Sequence, residues 1–252
     1  MNEVDTRERE YWNRLYNSAP ENLIMDVTLF KSSAIRVFQL ELLGDLNGKR
    51  LLELGCGDGQ WAVVCALLGA EVIAIDISDE ATNLTAKRAE INGISDKVKA
   101  IQMSAYSIEF PDGYFDLIHG TSILHHLNCR KVGPEISRVL RNGGRGVFME
   151  NFANNPLLIG ARKLCGHFGI PKWSSDDEYP LRKKDVKSLR PFFSSTAIHY
   201  PEFRFFFYFN AKLFKYRNKF VNRTCDLFDI TIYRRLPALR QFGYSQILEF
   251  RA

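Results

Sequence analysis

Cysteine is scarce and scattered in this chain: Cys56, Cys65, Cys129, Cys165 and Cys225 are odd in number and form no CxxC pair. That excludes a disulfide framework or a zinc site as the organising device. No run approaches the roughly 20 consecutive apolar residues that span a bilayer. The start Met1, Asn2, Glu3, Val4, Asp5 is acidic, without the basic and then apolar segments of a secretory leader. These absences predict a cytoplasmic protein, with contact at the periphery of a membrane left open. Internal repeats and low-complexity tracts are missing as well, which excludes solenoids and disordered tails.

What is present is an ordinary globular composition, 46% hydrophobic and 25% charged, in a length that suits one domain with insertions. The net charge of +5 hides an asymmetry. Residues 1–150 hold 16 Lys+Arg against 21 Asp+Glu, a balance of −5, and residues 151–252 hold 18 against 8, a balance of +10. A basic half points to an anionic partner (phosphorylated substrate, membrane surface or nucleic acid) or to nothing more than a solvated basic surface.

Apolar residues Phe30, Ala34, Val37, Phe38 and Leu42 recur at helical spacing and stop near Gly44. The short runs Leu51–Leu54 and Val72–Ile75 then read as strands, each ending abruptly at a polar or glycine-rich loop. Between them lies an apolar helix from Trp61 to Leu68, and Ser78 would cap a further helix that has Asp79 and Glu80 in its first turn. Val98–Gln102, Phe115–His119 and Gly146–Glu150 continue the strand series, with a helix before Asn142. Strands alternating with helices predict a parallel sheet with its ligand beyond the carboxyl ends of the strands. After Asn151 the expectations are a helix from Leu157 to Cys165, a polar loop from Pro171 to Pro180, a buried strand in the aromatic run Phe203–Phe209, and a last strand at Gln246–Phe250.

The densest chemical signal is Glu53, Leu54, Gly55, Cys56, Gly57, Asp58, Gly59 between a strand and a helix. Glycines there permit positive φ and let backbone N–H groups approach a polar ligand. Asp76 closes the next strand 21 positions after Gly55, a separation that suits a ribose-binding carboxylate. An ordinary turn and a helix cap are the plain rivals. The dinucleotide fingerprint GxGxxG fails at its third glycine, where Gln60 stands.

These residues resemble the class I S-adenosylmethionine-dependent methyltransferases, whose strand ends in E/D-x-G-x-G-x-G. The resemblance extends, in order, through Asp76, the segment Phe110–Asp116, the segment Ile123–Leu127 and the turn Leu140, Arg141, Asn142, Gly143, Gly144, covering roughly residues 47–150. It implies an α/β, doubly wound, Rossmann-like, seven-stranded and mostly parallel sheet with helices on both faces and an insertion or lid in the C-terminal half. The organisation implied is an N-terminal helical segment or lid (1–46), an S-adenosylmethionine-binding core (47–153), and a remainder (154–252) with a substrate-side insertion at about 154–195 and the final strands.

Residue by residue, the resemblance implies that Gly55 and Gly57, with Cys56 between them, cradle the methionine part of the cofactor and that Glu53 helps hold its amine. It further implies that Asp76 takes the ribose, Ile77 packs on adenine, and Gly120 with Thr121 lines the sulfonium pocket. Where the family often has an acidic residue before alanine to accept the adenine amine, this chain has Ser104 before Ala105. The implied reaction leaves S-adenosylhomocysteine as product and methylates a small molecule, anionic or lipid-like, at an O, N or C atom left open. His125 and His126 are candidate bases, with His119 behind them, and Glu150 points at the same region; packing, solvation and helix capping are their plain alternatives. No N-P-P-[YF] follows strand four, so nucleobase acceptors are not resembled. No metal is expected, Asp177 and Glu178 being two adjacent carboxylates in a polar loop. Asn155–Leu158 and Asp177–Leu181 resemble, more loosely, a bacterial-type subgroup of small-molecule methyltransferases. Arg182, Lys183, Lys184 or Lys187 would pair with a phosphate or carboxylate, and the aromatics 203–209 would wall a pocket or pack a core. The rival functions are a binding module for nucleic acid or an anionic membrane, and a pseudoenzyme; neither the oligomeric state nor the acceptor is legible.

Overall fold

The structure is a computed structural model, which describes residues 3–17, 22–164, 179–213 and 215–252. Three helices come first, α1 (Glu3–Tyr16), α2 (Val27–Phe30) and α3 (Ala34–Leu43). Then β1 (Arg50–Leu54), α4 (Gln60–Leu67), β2 (Glu71–Asp76), α5 (Asp79–Ile91) and β3 (Val98–Gln102) alternate, followed by β4 (Phe115–Thr121), α6 (Cys129–Val139) and β5 (Leu140–Asn151). The remainder holds α7 (Pro156–Leu164), α8 (Lys183–Leu189), β6 (Ser195–His199), α9 (Phe205–Leu213), α10 (Lys219–Arg235) and β7 (Ser245–Arg251).

The seven strands lie in the order β3-β2-β1-β4-β5-β7-β6. The pairs from β3 through β5 are parallel, and β7 runs antiparallel to both of its neighbours. With helices on both faces, central strands bury both sides and therefore read as continuous apolar runs. Successive residues of β1 serve opposite layers. Leu51 joins the layer under α4, with Val72, Val147 and Ile247, while Leu52 and Leu54 join the layer under α6, with Ile118, Phe148 and Leu248. The chain leaves β1 toward β2 and β3 and returns to the other side of β1 as β4, which makes the β1–β4 edge a topological switch point.

Local chemistry fixes the helices that frame this edge. Ser78 Oγ accepts the Ala81 N–H, with Asp79 and Glu80 in the first turn of α5. Asn128 caps α6, accepting from the N–H groups of Arg130 and Lys131, and Val132, Ile136 and Val139 then face the core. The Arg141–Gly144 turn lies inside β5, where the register against β4 shifts between Phe115 and Leu117.

One expectation needs correction. The aromatic run is a helix, α9, rather than a strand: Asp229 caps it by accepting the N–H groups of Phe206 and Phe207 at 2.9 and 2.8 Å. The strand that does pair there is β6, at Ser195–His199. In the described part of the 154–195 segment, α8 packs on α6 and buries Val186 and Leu189 in the core. Cys165, Asp177, Glu178 and most of the 171–180 loop lie outside the described residues. No helix of the described residues is long and apolar enough to cross a membrane.

Candidate functional site

The switch point opens into a cavity of about 1160 Å³. Its floor is the carboxyl ends of the strands: Leu54 and Gly55 after β1, Ile75–Ile77 at β2, Gln102–Ser104 at β3 and Thr121 at β4. Ala105–Ser107 and the loop Ser122–Asn128 form walls, and Glu8, Arg9, Trp12 and Tyr16 of α1 close one side. Ligand pockets run from about 300 to 1,000 Å³, so this cavity is at the large end for a small-molecule site.

The glycine turn is held on three sides. The Gly55 and Cys56 N–H groups both donate to the Ile75 carbonyl, at 2.8 and 3.1 Å. Arg88, almost wholly buried, donates from Nε to the Asp58 carbonyl at 2.7 Å and from an Nη to the Asp58 carboxylate at 3.3 Å. Gly55 and Gly57 have φ of +73° and +52°. A Cβ on Gly55 would stand 2.8 Å from the Ile123 side chain, and one on Gly57 2.7 Å from the Tyr16 hydroxyl oxygen. Positive φ and close approach thus demand glycine at both positions. Burial pushes the Cys56 thiol well above its ordinary pKa, so Cys56 is an inert packing group beside Thr85.

Asp76 sits at the end of β2 with one carboxylate oxygen accepting the Gly57 N–H and the other accepting the Ser78 N–H, both at 3.0 Å. Each oxygen keeps a second lone pair. Burial raises its pKa; the backbone bonds from Ser78 and Gly57 and the nearby His126 oppose that rise. Tyr16 is raised as well, chiefly by burial and then by Asp76, so it remains a neutral phenol beside the carboxylate.

Beyond β4 the chain turns sharply at Ser122, a non-glycine residue with φ of 55°. Fully buried Glu150 holds this turn. One carboxylate oxygen accepts the Ile123 and Leu124 N–H groups at 2.9 and 2.7 Å, and the other meets His125 Nδ1 at 2.6 Å. A second buried carboxylate, Glu53, meets His119 Nδ1 at 2.8 Å, while His119 Nε2 meets Gln39 Oε1 at 3.0 Å. The His119 ring also packs on Trp61.

Of the residues singled out in the sequence, Gly55, Asp76, Ile77, Ser104, Ala105, Thr121 and His126 line the cavity together. Glu53, Cys56, Gly57, Gly120, His125 and Glu150 stand behind that lining. Glu53 is turned to His119, and Gly120 is bare because Ile123 and Phe148 fill the place of its Cβ. His125 is spent on Glu150, whereas His126 lies edge-on to Trp12 with Nδ1 3.4 Å from the Glu8 carboxylate. Arg182, Lys183, Lys184 and Lys187 belong to the α8 region rather than the cavity wall; the cations on the wall are Arg9 and Lys131. The N-terminal contributors were missed, although Glu8, Trp12 and Tyr16 recur every four residues, the spacing of one helix face. Among the described residues, no group of three or more His, Cys, Asp or Glu side chains comes together to hold a metal ion.

The sheet order, with the glycine turn and the strand-end aspartate at its switch point, defines a doubly wound architecture. Residues 52–148 match the family model described as a methyltransferase domain, in keeping with the resemblance carried by the sequence motifs. An uncharacterized methyltransferase, YcgJ of Bacillus subtilis, is 32% identical over 61% of this chain and 58% of its own length. The ubiquinone/menaquinone biosynthesis C-methyltransferase UbiE of Vibrio parahaemolyticus is 32% identical over 64% of this chain and 62% of its own. The matches thus span about 60% of these relatives' lengths. In overall fold the chain is similar to geranyl diphosphate C-methyltransferase from Streptomyces coelicolor, with a TM-score of 0.63 and 16% identity over 99% of this chain and 97% of that one.

Proposed function

We propose that this protein transfers the methyl group of S-adenosylmethionine to an anionic small molecule bound in the same cavity. The observation that carries the reading is Asp76, a carboxylate fixed by two backbone N–H groups at the switch point, with a lone pair left on each oxygen for a vicinal diol. The residues fit the cofactor. The turn brings Gly55 to the cavity lining with no side chain in the way, and the buried hydroxyl of Thr121, on the cavity wall, has no hydrogen-bond partner among the described residues.

In this reading Asp76 takes the ribose hydroxyls, Ile77 packs on adenine, Ser104 and Ala105 edge the base, and Gly55 and Thr121 border the methionine end. Glu53 and Cys56 act from behind by shaping the turn. Bound there, S-adenosylmethionine supplies an electrophilic methyl group on a cationic sulfur. The protein's own task is then alignment, which supplies ~7 to 11 kcal/mol when two reactants are held in attack geometry. Where the acceptor must lose a proton, His126 takes it, oriented through Nδ1 by Glu8; His125 and Glu150 instead fix the loop that carries His126.

Arg9 and Lys131 set the acceptor class. Arg9 Nε is buried with no hydrogen-bond partner among the described residues, which is costly unless an anion completes it. Support also comes from the names of the relatives, which act on small molecules, and from the structural neighbour's geranyl diphosphate, an anionic and lipid-like ligand. Incubation with methyl-labelled cofactor and a metabolite extract should place the label in a fraction retained on an anion exchanger. Arg9→Ala should raise KM for that acceptor ~10-fold, the loss of one charge-assisted hydrogen bond, and leave cofactor affinity unchanged. Label confined to uncharged or cationic products would overturn the acceptor class; absence of cofactor binding would overturn the activity itself.

Asp76 also gives the site a pH signature. Ionised Asp76 is the better acceptor for the ribose, and burial raises its pKa, so cofactor affinity should fall on acidification at a pH above the ordinary carboxylate range. Stability runs the other way for this group. Its folded pKa exceeds the unfolded one, so its stabilising contribution is complete below the unfolded value and lost as pH rises through the folded value. Titrating cofactor affinity against pH for the wild type and Asp76→Asn checks this: the acid limb should vanish in the variant.

A further inference from the structure

The outer face of α10 is apolar and cationic, and nothing in the described fold covers it. Phe220, Leu227 and Ile230 are 78%, 63% and 49% exposed. Their spacings of seven and three place them on one side of the helix, in a stripe that also contains Arg223 and Arg234. The opposite side is committed inward: Asp229 caps α9, Asn222 accepts a hydrogen bond from Asn210 at 2.8 Å, and the helix packs on α9. Leu236 and Leu239 extend the exposed apolar surface just past the C-terminus of α10. From Lys215 to Arg240 the chain has seven Lys+Arg against two Asp, and one of those, Asp229, is buried; exposed Asp226 is the single acidic group flanking the stripe.

We propose that this face is a docking surface for an anionic lipid bilayer, on which α10 lies flat with Phe220, Leu227 and Ile230 in the headgroup boundary and Arg223 and Arg234 among the lipid phosphates. Charge decides between the possible occupants. A second copy of the chain would bring two strongly basic faces together, and like charges facing one another disfavour that contact. A single-stranded nucleic acid would match the charge but needs successive stacking platforms, and of the three apolar side chains in the stripe Phe220 alone has a π-face to offer. A basic helix with Phe and Leu side chains projecting between its cations has the composition of a segment lying in the membrane interface. None of these side chains lines the cavity, so the proposal stands or falls independently of the proposed reaction.

Flotation of the full chain with vesicles tests it. With phosphatidylcholine containing one-third phosphatidylglycerol the protein should float; with phosphatidylcholine alone it should not, and ~1 M salt should release it. Arg223→Gln with Arg234→Gln should lower the partition coefficient roughly 30-fold, the equivalent of ~2 kcal/mol for two cations. Phe220→Ser, Leu227→Ser and Ile230→Ser together should lower it about 100-fold. All these side chains point to solvent, so thermal midpoint and cofactor affinity should match the wild type and confirm an intact fold. No flotation on the anionic vesicles, or equal flotation of the triple-serine variant, overturns the proposal. So does a dimer, or an RNA complex, that the triple-serine variant alone abolishes in place of vesicle binding.

Discussion

Replacing Asp76 with alanine is expected to weaken S-adenosylmethionine binding several hundredfold, ~3 to 4 kcal/mol, in isothermal titration calorimetry. Two hydrogen bonds from ligand hydroxyls to a charged acceptor are lost, each worth about 1.5 to 3 kcal/mol. A second effect adds to the first, because the Gly57 N–H, which donates to Asp76, loses its acceptor and the glycine turn loses one of its restraints. Asp76→Asn keeps the shape and one oxygen, so it should fall between the wild type and the alanine variant. Because the alanine variant also leaves the Ser78 N–H without its partner, its folding must be checked separately by thermal melting. An alanine variant that melts normally and binds the cofactor with wild-type affinity would remove Asp76 from the site and the proposed function with it.

Glu150→Ala should destabilise the protein by about 3 to 5 kcal/mol. The carboxylate is fully buried and satisfies three donors, the Ile123 and Leu124 N–H groups and His125. Alanine leaves all three without that acceptor. The adjacent Ser122 is held at positive φ, a strain of about 1 to 3 kcal/mol that persists only while its surroundings enforce it. Releasing the clamp lets the loop relax away from the cavity, so Thr121 and His126 lose their positions. A drop in melting temperature of ~10 °C or more is expected for a chain of this length. Glu150→Gln retains an oxygen for the two backbone donors and should recover most of the loss. Melting of the alanine variant within 2 °C of the wild type would sink the clamp.

The core was legible because its signals are local and agree with one another. The runs at Leu51–Leu54 and Val72–Ile75 fall on β1 and β2, and the glycine turn between them permits only one kind of backbone. Asp76 could be placed for the same reason, since its position depends on a strand end that the sequence marks. The errors arose where tertiary partners override periodicity. Phe205–Tyr208 has neither a two-residue nor a helical alternation, and it is Asp229, more than twenty positions away, that caps it into a helix. The half-exposed edge strand β6 has too little apolar character to announce itself. Glu53 and Glu150 were assigned by strand-end position, but which way a buried carboxylate turns depends on partners such as His119 and His125, contributed by β4 and the loop beyond it. Arg9 and Tyr16 reach the cavity only because α1 folds back over α5, where Asn13 bonds both Asp79 and Ser78.

The position of β7 has a consequence for how the chain is made. Residues 245–251 slot between a strand that ends at Asn151 and one that ends at His199. During synthesis the first five strands can pair as they leave the ribosome, but Ser195–His199 has no neighbour to join until residues 245–251 have emerged. The sheet therefore closes out of chain order, with a long loop closure when β7 is inserted, and until then an unpaired edge is open to the wrong partner.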